Sequence, residues 1–222
     1  MKRSLFLLII LCAALFAKAE KRSIDITSFK FLKVNGAFQV YFTTGAEYKM
    51  TIEASADDFE GIIIDQKDST LQISRNANRI HGNIYLQAPS FSALLLEGRN
   101  HFYTKNAIVA KTFKAEINGA CQAKIEINAT DLELSNNGAT EVMMVGKCDN
   151  AQIKSDGAST FDGRTLICQR IKADAYGATK VHVFGQESVI AKAHGASALY
   201  YNKSTKSPYI TNEPAASVRH YN

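Results

Sequence analysis

Beyond its first nineteen residues the sequence has no apolar run of membrane length, so no spanning helix is expected in the rest of the chain. It has no C-x-x-C pair, which removes the usual frame of a structural zinc site. It has no G-x-S-x-G elbow and no phosphate-binding loop. The G-G-x-G-x-D frame of calcium-binding β-rolls is missing too. The histidines, at 81, 101, 182, 194 and 220, never stand two or four apart, so none is paired for a metal. No catalytic, cofactor or metal site is therefore expected. Residues 20–222 contain no Pro/Gly/Ser-rich linker, and a single domain is expected there. Helical spacing of apolar residues is absent throughout.

What is present begins with a leader. Lys2 and Arg3 precede the apolar stretch SLFLLIILCAALF, and Ala17-Lys18-Ala19 follows it. This is the pattern of a secretory signal peptide over residues 1–19, with cleavage expected after Ala19 and an extracytoplasmic destination, periplasm or cell surface. Cys12 follows Leu11 rather than a small residue, which argues against lipidation. Loss of Lys2, Arg3 and Lys18, with no acid lost, lowers the net charge from +5 to +2. The basic balance thus belongs partly to the leader, and nothing argues for a nucleic-acid partner. Cys121, Cys148 and Cys168 remain, an odd set that allows one internal disulfide and a spare thiol.

The strongest signal is internal repetition. Glycines recur at 98, 119, 138, 157, 177 and 195, and Ala follows the last five as Ala120, Ala139, Ala158, Ala178 and Ala196. An earlier copy stands at Asn35-Gly36-Ala37. Self-similarity near twenty residues is the mark of a solenoid. Apart from Asn136, Ser155, Thr104 and Gly163, apolar residues fall two and four places before these glycines and four and six after them, with mostly polar residues between. That alternation predicts strands with one buried face, paired around a glycine corner. A lone unit cannot bury its apolar face, but stacked copies can. The expectation is an all-β parallel β-helix of about ten coils, roughly 50 Å long. A leucine-rich horseshoe needs the L-x-x-L-x-L-x-x-N frame, which is missing. Residues 44–93 show no glycine register; they predict a less regular β region with strands at Tyr48–Ala54, Thr70–Ser74 and Asn83–Gln87 and a turn at "SRNANRIHG".

The repeated x-G-A-S/T-x-V units that follow "FKFLKVNGAFQVYFTTGAEYKMTIEA" resemble the head GIN domain of putative auto-transporter adhesins. The resemblance runs from Phe29 to Val218. It implies a right-handed parallel β-helix and an extracytoplasmic location, and it brings no catalytic residues. Glu213-Pro214-Ala215-Ala216-Ser217 stands where another Gly-Ala-Ser is expected, which marks the last coil as a cap.

Three columns bear on function. Five places after the glycines, facing out, stand Tyr41, Tyr103, Lys124, Met143, Asp162, His182 and Tyr200. Asp162 and His182 are one coil apart, the only juxtaposition that suggests chemistry. Two places after the glycines stand Cys121, Thr140, Ser159, Thr179 and Ser197, expected to form a buried ladder of hydroxyls bonded to one another, with Cys121 as a structural member rather than a nucleophile. The alanines have outward parity and form a narrow small-residue strip, read either as a steric consequence of the corner or as a contact stripe. Cys148 and Cys168 occupy equivalent places on adjacent coils, within disulfide reach. The favoured function is a non-catalytic exported module that binds an unknown protein or glycan at the cell envelope, or self-associates into a homo-oligomer. The alternative is a carbohydrate-active enzyme, a polysaccharide lyase or hydrolase, working on the outer face.

Overall fold

A computed structural model describes residues 19–76 and 81–222. The leader and the centre of the turn expected at 74–82 lie outside the described residues. The rest is almost wholly strand, wound into a β-solenoid of about seven turns.

The regular part is built from five long strands, β10 (Ile108–Gly119), β11 (Gln122–Gly138), β12 (Glu141–Gly157), β13 (Thr160–Ala175) and β14 (Lys180–Ala193). β11 to β14 each run from one glycine corner to the next, β10 covers the second half of its coil, and each pairs in parallel with its neighbour in the register the repeat requires: Gly119 opposite Gly138, Gly138 opposite Gly157. The sequence predicts two short strands per coil. Instead one strand bends at a second corner, where Lys111, Thr130, Asp149 and Gln169 drop out of the ladder. Side chains alternate in and out along each strand, as its pleat dictates.

The amino-terminal part departs from sequence order. β2 (Phe31–Gly36) and β3 (Phe38–Thr44) form a coil, and β8 (Ala93–Gly98) and β9 (His101–Thr104) stack on one side of it. The intervening chain forms β4 (Lys49–Ala54), a short helix α1 (Ala56–Gly61), β5 (Ile62–Lys67), β6 (Thr70–Arg75) and β7 (Gly82–Ala88). β6 and β7 stack on the opposite side of the β2–β3 coil. β4 pairs antiparallel with β7, β5 with β6, and β1 (Glu20–Ile24) with β4. The expected strands in this half are present. The turn count falls short of ten because about fifty residues are spent on one coil and its antiparallel cover. Ser55 caps α1 by accepting the N–H of Asp58.

At the other end β15 (Ala198–Asn202), β16 (Ser207–Asn212) and β17 (Ser217–Tyr221) complete the stack. One apolar core runs from Phe29 to Ala216. Its aromatic weight lies toward the amino-terminal coils, where the Phe91 ring meets Phe42 at 4.8 Å and Phe113 at 5.6 Å. Toward the carboxyl end the core columns that hold Leu94 and Leu96 pass to Ala173, Ala175, Ala191 and Ala193.

Candidate functional site

The glycine corner explains the repeat physically. Gly98, Gly119, Gly138, Gly157, Gly177 and Gly195 all have positive φ. A Cβ on Gly138 would stand 2.5 Å from the carbonyl oxygen of Gly119, so the coils approach too closely for any side chain. Gly36 has a different reason: the ring of Phe38 fills the space a Cβ would need. The N–H of Ala120, Ala139, Ala158 and Ala178 each donates to the glycine carbonyl one coil below, as from Ala139 to Gly119 and from Ala158 to Gly138. Ala120, Ala139, Ala158, Ala178 and Ala196 are all exposed and form a continuous strip.

Thr140, Ser159, Thr179 and Ser197 are buried as their parity requires, but they do not bond to one another. Thr140 Oγ1 accepts from Asn136, whose own amide oxygen accepts from Ser155; Ser197 donates to the carbonyl of Ala175. Ser159 and Thr179 have no hydrogen-bond partner among the described residues. The expected chain of hydroxyls is therefore replaced by bonds to the column four residues earlier and to the backbone. Asn100 is the fully buried member that sequence reasoning missed, although its place two after Gly98 was legible. Its amide donates to the carbonyls of Val34 and Glu97 and accepts from the N–H of Phe38, tying two coils together. The Cys121 thiol is buried, which pushes its pKa up, and it points at the carbonyls of Asn118 and Gly98. That setting disfavours a thiolate nucleophile.

On the outer face Asp162 and His182 are ladder partners. Arg164, two residues on and unremarked in the sequence, takes the carboxylate with Nε at 2.9 Å and Nη2 at 2.6 Å. This hydrogen bonding holds the Asp162 carboxyl below its ordinary range, while burial lowers His182. The His182 ring stacks on Tyr200 at 4.7 Å. A clamped carboxylate and a neutral, stacked imidazole are poorly placed for acid–base exchange. Farther along the column Tyr41 stacks between Tyr85 and Tyr103, at 5.3 and 5.6 Å. Tyr85 joins from β7, which no repeat arithmetic reveals, because that coil is stacked out of sequence order. Cys148 and Cys168 are register partners with Cα atoms 4.5 Å apart and form a disulfide inside the wall. Among the described residues no group of acids, histidines and cysteines is arranged to hold a metal ion, and no helix is long and apolar enough to cross a membrane.

A third feature is the flat face that precedes the glycine corners. Two outward columns run along the solenoid axis there, Asp131–Asn150–Arg170 and Glu133–Gln152–Lys172. Between them lies a trough of about 520 Å³ over Leu132, Ala151 and Ile171. In the first column Asn150 donates to Asp131 at 2.8 Å and accepts from Arg170 at 2.9 Å. Both columns pass from acid through amide to base.

A family model described as putative auto-transporter adhesin, head GIN domain, matches residues 28–204. Among curated proteins there is no match. A solved putative adhesin from Bacteroides fragilis is 16% identical, covers 92% of this chain and 97% of its own, and superposes with a TM-score of 0.87. A putative adhesin from Parabacteroides merdae is 13% identical, with 93% and 98% covered and a TM-score of 0.77. A structure named putative lipid binding protein, from Parabacteroides distasonis, is 14% identical, with 93% and 98% covered and a TM-score of 0.69. At these identities the likeness establishes the solenoid fold.

Proposed function

We propose that this chain, which belongs to the putative auto-transporter adhesin head GIN domain family, is an exported, non-catalytic binding module. It is directed out of the cytoplasm by residues 1–19 and acts as one rigid domain over residues 20–222. It presents its long outer faces to a partner at the cell envelope, protein or glycan, or to another copy of itself. The observation that carries this reading is the outer surface itself: columns of exposed side chains held in strict register by parallel strands. Such faces bind through many repeated contacts rather than through one pocket. The Asp162–His182 pair, the one arrangement that suggested chemistry, is occupied by Arg164 and Tyr200. The exposed alanine strip is a flat margin on which a partner can approach closely.

The test uses the exported chain, labelled, against intact cells and a panel of uronic-acid polysaccharides. Saturable binding with no new reducing ends and no unsaturated products supports the module. Turnover that disappears in Asp162→Ala would establish the enzyme in its place. Amino-terminal sequencing of the exported protein should begin at Glu20; an intact Met1 in the envelope fraction would refute cleavage.

A further inference from the structure

The flat face before the glycine corners carries a charge pattern that the binding-module reading does not use. Successive coils lie about 4.8 Å apart, so the columns can be read as a grid. Take the coil of Asn150 and Gln152 as centre. One coil toward the amino end stand Asp131 and Glu133, and two coils away stands Glu116. One coil toward the carboxyl end stand Arg170 and Lys172, and two coils away stands Lys192. All project outward from buried strand partners. The face is thus net acidic on one side of the Asn150–Gln152 coil and net basic on the other, with two amides and Lys154 on the coil between.

A face of this kind is complementary to itself. We propose that it is a self-association surface on which two copies pack antiparallel, about a two-fold axis lying along the strand at Asn150 and Gln152. The operation reverses the solenoid axis and keeps position along the strand. Asp131 then meets Arg170 of the second copy, Glu133 meets Lys172, and Glu116 meets Lys192; each pair occurs twice. Asn150 and Gln152 meet their own copies, as an isologous interface requires. Amides suit that position because they both donate and accept. The trough over Ala151 gives the opposing side chains room to interdigitate.

The exceptions are accommodated. Lys114 is already held by Glu116 at 3.1 Å and falls opposite Ile190, whose apolar surface suits the lysine stem. Lys154 lies on the axis opposite its own copy, with Asp174 one coil away in each copy to receive it. The area is sufficient. Seven coils by about seven strand residues give a footprint of about 29 by 23 Å. That is about 650 Å² per copy and about 1,300 Å² in all, above the roughly 1,000 Å² that a specific contact needs. The alanine strip borders this face, so Ala139 and Ala178 of opposed copies come to the same margin.

This inference rests on the binding-module reading, naming the partner as a second copy. The test is sedimentation of the exported chain. The wild type should be a dimer whose dissociation constant rises about tenfold or more between low and molar salt, because opposed surface charges are screened. The doubly substituted Asp131→Lys, Glu133→Lys chain and the Arg170→Glu, Lys172→Glu chain should each be monomeric. Mixed together they should form a one-to-one heterodimer, since the columns through Asn150 and Gln152 are then flanked by bases alone in one chain and by acids alone in the other. Gln152→Arg sets like charges on the axis without touching the Asp131–Asn150–Arg170 bonds, and should also be monomeric with an unchanged thermal midpoint. It decides the matter where the double variants fail to fold by circular dichroism. A monomeric wild type, a dimer indifferent to Gln152→Arg, or folded double variants that do not combine would overturn the proposal. A monomer that still binds cells saturably would sink this surface and leave the module standing; a dimer of this design with no other binding would confine the module to self-association.

Discussion

Replacing two glycines of the same ladder should give unequal losses. Gly138 has φ +96°, and its Cβ would lie 2.5 Å from the oxygen of Gly119. Gly195 has φ +65°, and its Cβ would lie 3.3 Å from the oxygen of Gly177. At Gly195 alanine meets mainly the left-handed backbone penalty, about 1–2 kcal/mol. At Gly138 the backbone lies farther from any region an L-residue favours, which costs about 1–3 kcal/mol. The overlap also has to be relieved by parting two coils, an overpacking cost of about 1–3 kcal/mol. Gly138→Ala should therefore cost about 3–5 kcal/mol. For a domain of this size each kcal/mol lowers the thermal midpoint by about 2–4 °C. Melting followed by circular dichroism should show a loss of about 10 °C for Gly138→Ala and about 4 °C for Gly195→Ala. Gly195→Asn should recover part of the smaller loss, since Asn tolerates left-handed backbone. Equal losses at the two sites, or the larger one at Gly195, would show that close approach of the coils is not what demands glycine.

Other outcomes follow from single features. Non-reducing peptide mapping should recover Cys148 joined to Cys168 and Cys121 free; a Cys148→Ser, Cys168→Ser chain should lose about 3 kcal/mol, the loop-closure value for twenty residues. Burial raises the Tyr221 phenol to about 12, so its contribution to stability is intact below the ordinary tyrosine range near 10 and is lost as pH climbs through about 12; ultraviolet titration should find a tyrosine ionising near pH 12 that is lost in Tyr221→Phe. Hydrogen bonds from His194 and the N–H of Gly195 lower the Glu213 pKa, so its hold on the last coil is present at neutral pH and lost as pH falls through that lowered value; the protection of amides across residues 207–221, corrected for the intrinsic pH dependence of exchange, should fall in acid, and Glu213→Gln should remove that fall. Ala139→Arg with Ala158→Arg, folded by circular dichroism, should dissociate an oligomer seen by light scattering if the strip is a contact, and should leave its mass unchanged if the alanines serve only the corner.

The repeat was legible because one physical requirement recurs in every coil. A residue of positive φ packed against its own equivalent leaves glycine as the sole choice, and glycine therefore marks the register. The buried column of Thr140, Ser159, Thr179 and Ser197 was legible from parity for the same reason. What failed to show was anything set by partners distant in sequence. Tyr85 stacks on Tyr41 only because the β6–β7 coil folds back past the β2–β3 coil, and no periodicity encodes that reversal. Arg164 lay in plain view two places after Asp162, on the same outward parity, but the columns were read no farther than six places past the glycine. The second corner, at Thr130 and Asp149, carries no glycine and so gave no signal; the long strands were divided there into shorter ones.

The two ends of the solenoid bear on how it meets other molecules. A parallel coil stack exposes unpaired backbone at each end and invites further strands. Here the amino end changes direction: β5 and β1 are short, antiparallel and charged, with Asp65 and Lys67 on one and Glu20, Lys21 and Arg22 on the other. At the carboxyl end Pro208 removes a donor from β16, and β17 carries Arg219 and His220. Pro214 stands where the glycine ladder would continue, and the Glu213 carboxylate takes the N–H of Gly195. Each device opposes addition of another strand in register. Growth along the axis is thereby discouraged at both ends. The sides, where the side-chain columns lie, carry the self-association surface proposed above, and a two-fold contact of that kind is isologous and closes at two copies.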